Sequence, residues 1–157
     1  MNRYILALTV NNQSGVLSKI AGLFARRGYN IDSLSVGTLD SENLSRMTIV
    51  FNGDEKTLEQ VKKQLNKLID IIKVVDLSKD LSIFRELILI KVNTNSTNKR
   101  EIIDIVDTFR AKIISYNKNS MIIELAGDKA KIDAFTSLIS VYGIKELTRT
   151  GSVGLIR

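Results

Sequence analysis

Asn11-Asn12-Gln13-Ser14-Gly15 is the stretch of this 157-residue chain whose residue types and spacing could act on a small molecule. The strand-like run Arg3–Val10 leads into it. Behind the glycine, Val16, Leu17, Ile20, Leu23 and Phe24 recur at helical spacing. A strand that turns sharply into a helix leaves backbone N–H groups free to hold a small anion. Gly15 has no Cβ, so a ligand can come close to the backbone there. The side-chain amides of Asn12 and of Asn30, at the head of the next strand, could fix an α-ammonium and an α-carboxylate. The same residues also make an ordinary turn in which Ser14 caps the helix. Taken singly, they leave the turn divided between ligand binding and structure.

Other chemistries have fewer residues to work with. The chain contains neither histidine nor cysteine. That removes the commonest metal ligand, the commonest general base at neutral pH, and all thiolate and disulfide chemistry. Neither G-x-G-x-x-G nor G-x-x-x-x-G-K-[ST] occurs. The carboxylates sit mostly at helix starts or on polar faces, where dipole and solubility roles explain them. No catalytic residue and no metal site are expected, and the chain is not expected to be an enzyme by itself.

The net charge of +6 invites a nucleic-acid reading, but the longest basic runs are pairs such as Arg26-Arg27 and Lys99-Arg100. An RNA-recognition sheet would need several stacking aromatics, and the corresponding strand, SRMTIVFN, offers only Phe51. No apolar run approaches the ~20 residues that span a bilayer. The expectation is therefore a protein with neither nucleic-acid nor membrane partners, in the cytoplasm, or in the plastid stroma if plastid-encoded.

The elements that must position the turn follow from periodicity. After the strand and helix, Gly28 stands where a left-handed C-cap would. Asn30–Gly37 and Ser45–Asn52 read as strands, Asp54 as a helix start and Ile71–Leu77 as a fourth strand. The order βαββαβ repeats in the second half. There Leu87–Val92 is a strand, Asn98–Arg110 a helix, Ala111–Tyr116 and Met121–Ala126 two strands, Asp128–Tyr142 a helix and Ile144–Thr150 the last strand. The fold class is α+β, two tandem ferredoxin-like βαββαβ domains over residues 1–77 and 84–157, joined near Ser78–Ile83.

The segment NNQSGVLSKIAGLFARRGYNIDSLSVG resembles the first ligand-binding segment of an ACT domain, the amino-acid-sensing module of biosynthetic enzymes. More closely, it resembles the small regulatory subunits of acetolactate synthase (acetohydroxyacid synthase). The likeness continues through LSRMTIVFNGDEKTLEQVKKQLNKLIDIIKV, RELILIKV, IVDTFRAKIISYNKNSMIIELAGDKAKIDAF and ELTRTGSVGLIR. Ser14 departs from many relatives, in which proline often precedes the glycine.

The resemblance implies that residues 1–77 are an ACT domain. It implies a regulatory subunit that stimulates a large catalytic subunit and mediates valine feedback inhibition in branched-chain amino-acid synthesis. Thiamine diphosphate, Mg²⁺ and FAD would sit on that catalytic partner. Valine would bind at Asn12, Gly15, Val16, Asn30 and Ile31, with Ser18 and Gly37 nearby. The site would lie between two ACT domains of a homodimer, Asn12 and Gly15 of one chain meeting Asn30 of the other. The alternatives are a stand-alone ACT-type amino-acid sensor and, more remotely, an RNA-binding βαββαβ protein.

Overall fold

Alternation of apolar residues makes β1 (Asn2–Asn11) the central strand of the first sheet: Tyr4, Leu6, Leu8 and Val10 all point to one buried face. A computed structural model describes residues 1–79 and 81–157. Asp80, within the expected joint, lies outside the described residues. β1 pairs antiparallel with β3 (Leu44–Gly53) on one side and β4 (Ile71–Asp76) on the other. β2 (Ile31–Thr38) takes the outer place beside β3, giving the order β2-β3-β1-β4.

Helices α1 (Val16–Arg26) and α2 (Glu55–Asn66) bury Val16, Ile20, Leu23 and Phe24, and Leu58, Val61 and Leu65, in the same core. Phe51 lies at its centre, its ring 5.5 Å from Phe24 and 5.8 Å from Tyr4. Gly28 closes α1 at φ +69°, where Tyr29 N–H donates to the Phe24 carbonyl at 3.0 Å. Asp54 opens α2 by accepting the Thr57 N–H at 2.7 Å.

The second half repeats the plan. β5 (Ser82–Asn93), α3 (Lys99–Thr108), β6 (Lys112–Tyr116), β7 (Ser120–Gly127), α4 (Lys129–Ser140) and β8 (Ile144–Arg149) build a sheet with the path β6-β7-β5-β8. Its core gathers Ile88, Ile90, Val92, Ile102, Val106, Ile123, Phe135 and Ile139. The α+β class with two βαββαβ repeats is what the periodicity predicts. No helix among the described residues is long and apolar enough to cross a membrane.

One element departs from the sequence reading. Ile144–Thr150 is not followed by irregular chain but by β9 (Val153–Ile156), which pairs with β5. By contacts, Gly151–Arg157 group with Met1–Ile83, while Phe84–Thr150 form the second unit. The reason lies in three contacts. Arg157 N–H donates to the Leu81 carbonyl at 2.9 Å. Arg3 donates to the buried hydroxyl of Ser152 at 3.4 Å. A Cβ on Gly151 would stand 2.8 Å from the Leu34 carbonyl oxygen and 2.7 Å from Ser35 Oγ, so this return segment presses on β2 where only glycine fits.

Candidate functional site

The turn between β1 and α1 is pinned from behind. Asn11 N–H donates to the Asp70 carbonyl and Asn12 N–H to the Asn43 carbonyl, each at 2.8 Å. The Asn12 side chain donates through Nδ2 to the Glu42 carbonyl, also at 2.8 Å. These bonds tie the turn to the β2–β3 connection and to the start of β4.

The helix then opens in a way that leaves donors unspent. Gly15 occupies the N-cap position at φ +86°, ψ −13°, and no side chain caps the helix. Ser14, expected as the cap, stands one residue too early, and the residue in the capping place has no side chain to offer. Val16 N–H reaches the Gln13 carbonyl only at 3.4 Å. The N–H groups of Gly15, Leu17 and Ser18 find no acceptor among the described residues. A Cβ on Gly15 would meet nothing within 4 Å, so the space beside this glycine is open. Open space, free donors and the positive end of a helix dipole suit a carboxylate.

One turn into α1, Lys19 pairs with Asp70 at 2.8 Å, and that hydrogen bond holds the Asp70 carboxyl below its ordinary range. The Val16 side chain is spent on the core, so what it can offer a ligand is its backbone.

Asn30 and Ile31 stand elsewhere. Asn30 Nδ2 donates to Asp32 Oδ1 at 3.1 Å, and Asn52 Nδ2 grips the other oxygen of the same carboxylate. Ile31 is half-buried against the first core. In register, Ile31 pairs with Phe51, whereas Asn11 pairs with Leu44. Seven residue steps along β3 separate those positions, roughly 23 Å at the strand rise of about 3.3 Å. A single chain therefore gathers Asn12, Gly15, Val16 and Ser18 at one end of the sheet and Asn30 and Ile31 at the other. Gly37, exposed on β2 and paired with Arg46, lies at the Asn12 end.

The sequence reading had no role for Asp32, Asn52 or the carbonyls of Glu42 and Asn43. The spacing Asn30-x-Asp32 is the one signal that could have raised the first of these. Phe51, the aromatic an RNA-stacking surface would need, is buried beneath the sheet. Among the described residues no three metal-ligating side chains come together.

Comparison with known proteins falls on the same two halves. A family model for the AHAS small subunit-like ACT domain matches residues 6–73, and one for the small subunit of acetolactate synthase matches residues 85–157. A protein of Archaeoglobus fulgidus described as a probable acetolactate synthase small subunit is 50% identical over 155 residues, covering 99% of this chain and 97% of its own length. The acetolactate synthase small subunit of Mycolicibacterium smegmatis is 42% identical, covering 98% of this chain and 91% of its own. The crystal structure of the small subunit from Thermotoga maritima superposes with a TM-score of 0.92 at 39% identity, over 100% of this chain and 98% of that one. With both halves matched and the whole length aligned, the chain belongs to the acetolactate synthase small-subunit family, its first half an ACT domain.

Proposed function

We propose that this chain is a regulatory subunit that binds a large acetolactate synthase catalytic chain, stimulates it, and carries valine feedback inhibition. Thiamine diphosphate, Mg²⁺ and FAD belong on the catalytic chain, which condenses two pyruvates, or pyruvate with 2-oxobutyrate. The observation that carries the effector site is the unspent set of N–H donors at Gly15, Leu17 and Ser18, with open space at Gly15.

The site is completed by a second copy. β2 is an edge strand, with Val36 about half exposed on it. Antiparallel pairing of two such edges about a two-fold axis sets the start of one β2 beside the end of the other. Asn30 of the partner subunit then approaches Asn12 and Gly15, closing the roughly 23 Å gap that one chain leaves open. Pairing also removes an exposed sheet edge. Valine bound across this seam favours one arrangement of the dimer. Inhibition requires that the arrangement valine prefers be the one that supports catalysis less well.

The experiment is reconstitution with the catalytic chain, assayed with and without valine. Stimulation by this chain and its reversal by valine support the reading. Valine binding without any effect on the catalytic chain would make the protein a stand-alone sensor.

A further inference from the structure

We propose that Asp32 fixes the polarity of Asn30 and so makes that half of the site a reader of the effector's α-ammonium group; this deepens the valine reading and rests on it. An ionised carboxylate only accepts hydrogen bonds. The Asn30 atom 3.1 Å from Asp32 Oδ1 is accordingly the amide nitrogen, the only orientation of that side chain in which the contact is a hydrogen bond. The second carboxylate oxygen is taken by Asn52 Nδ2, so the group is anchored from β3 and cannot swing away without losing a bond.

Asn30 is left with its carbonyl oxygen as the unused group, since no donor reaches it among the described residues. A negative charge one hydrogen bond behind strengthens it as an acceptor. Asn12 shows the same polarity: its Nδ2 is spent on the Glu42 carbonyl. Both asparagines thus leave an acceptor oxygen unused, while the start of α1 leaves donors unused. The donors suit a carboxylate and the acceptors an ammonium. Asp32→Asn would put a donor in place of one carboxylate oxygen and let Asn30 turn over. The competing role for Asp32 is a brace for β2, whose register shifts between Ile31 and Ser33.

The two roles separate by ligand. L-Valine and 3-methylbutanoate share a carboxylate and a branched chain, but only valine carries the ammonium. Titration calorimetry on the full chain is expected to show valine binding at least tenfold weaker in Asp32→Asn, with 3-methylbutanoate binding changed less than threefold. Asp32→Glu, which keeps the charge, should bind valine within threefold of the unsubstituted chain, even where the analogue is too weak to measure. An unchanged valine affinity in Asp32→Asn, an equal loss for both ligands, or an Asp32→Glu value as weak as that of Asp32→Asn overturns the assignment and leaves the effector reading standing. Failure of the unsubstituted chain to bind valine overturns both.

Discussion

The turn that opens α1 and the turn that opens α3 hold the same place in the two βαββαβ units, and they differ in how they treat the residue at the capping position. In the second unit Asn95 Oδ1 accepts from Thr97 N–H and Asn98 N–H, each at 2.9 Å, and from the Thr97 hydroxyl at 2.6 Å. Asn98 Oδ1 in turn accepts the Asn95 N–H at 2.8 Å. That turn consumes the N–H of its own capping residue, Asn98, while the Arg100 and Glu101 N–H groups of α3, like those of Leu17 and Ser18, find no acceptor among the described residues. In the first unit glycine stands at the capping position, and the N–H groups of Gly15, Leu17 and Ser18 remain. A shared scaffold thus carries one closed turn and one open one, and the difference comes down to where short polar side chains fall. What sets the first turn apart is the free Gly15 N–H and the open space where a Cβ would stand.

Five changes would test the comparison of the two units. Gly15→Asp puts a carboxylate where the proposed site would hold the effector's carboxylate and forces a side chain into left-handed backbone. Valine affinity should fall at least 100-fold, about 2.7 kcal/mol, by titration calorimetry. A Gly15→Asp chain still inhibited by valine would remove the open turn from the site. Asn95→Ala opens the second turn and should lower stability by about 1–2 kcal/mol in urea titration, with the number of bound valines unchanged. A new valine equivalent in that variant would mean that the closed turn is a masked site.

The ends of the same helices give a smaller contrast. After α1 the left-handed position is Gly28; after α3 it is Arg110 at φ +55°, with Ala111 N–H donating to the Val106 carbonyl at 2.9 Å. Arg110→Gly should raise stability by up to about 1 kcal/mol, and Gly28→Ala should lower it by about as much, read as shifts of the urea midpoint.

The smallest effect is electrostatic and common to both units. The Asp54 carboxyl is held below the ordinary 3.8 by the Thr57 backbone N–H, and the Asp133 carboxyl by its hydrogen bond to Lys129 and then that to Arg149. A depressed folded-state value means stability that is complete above the unfolded value and lost as pH falls through the folded one. Thermal midpoints should therefore decline below about pH 3.8, and Asp54→Asn should flatten part of that decline.

Much of the scaffold was legible because burial follows period. Val16, Ile20, Leu23 and Phe24 read as one helical stripe and are one, and Gly28 reads as a left-handed terminator and is one. Asp54 and Asp128 read as helix starts and both cap their helices, Asp128 accepting the Lys131 N–H at 2.8 Å. What sequence could not show depends on partners distant along the chain. Ser14 looks like a cap until the backbone gives that position to Gly15. Asn30-x-Asp32 is visible, but the third member, Asn52, comes from another strand. Val153–Ile156 has no alternation to mark it as a strand, and its partner strand begins some seventy residues earlier.

The return segment has a consequence for how the molecule is made. Met1–Ile83 become a finished unit only when Gly151–Arg157 arrive, and all of Phe84–Thr150 is synthesised in between. Until then β2 lacks the backing that Gly151 supplies beside Leu34 and Ser35. Contacts of such long sequence separation form late, because loop closure precedes their reward. The emerging polypeptide therefore passes through an interval in which the first sheet is paired but its outer strand is unsupported, and a ribosome-stalled chain ending at Thr150 is the species in which that interval is prolonged.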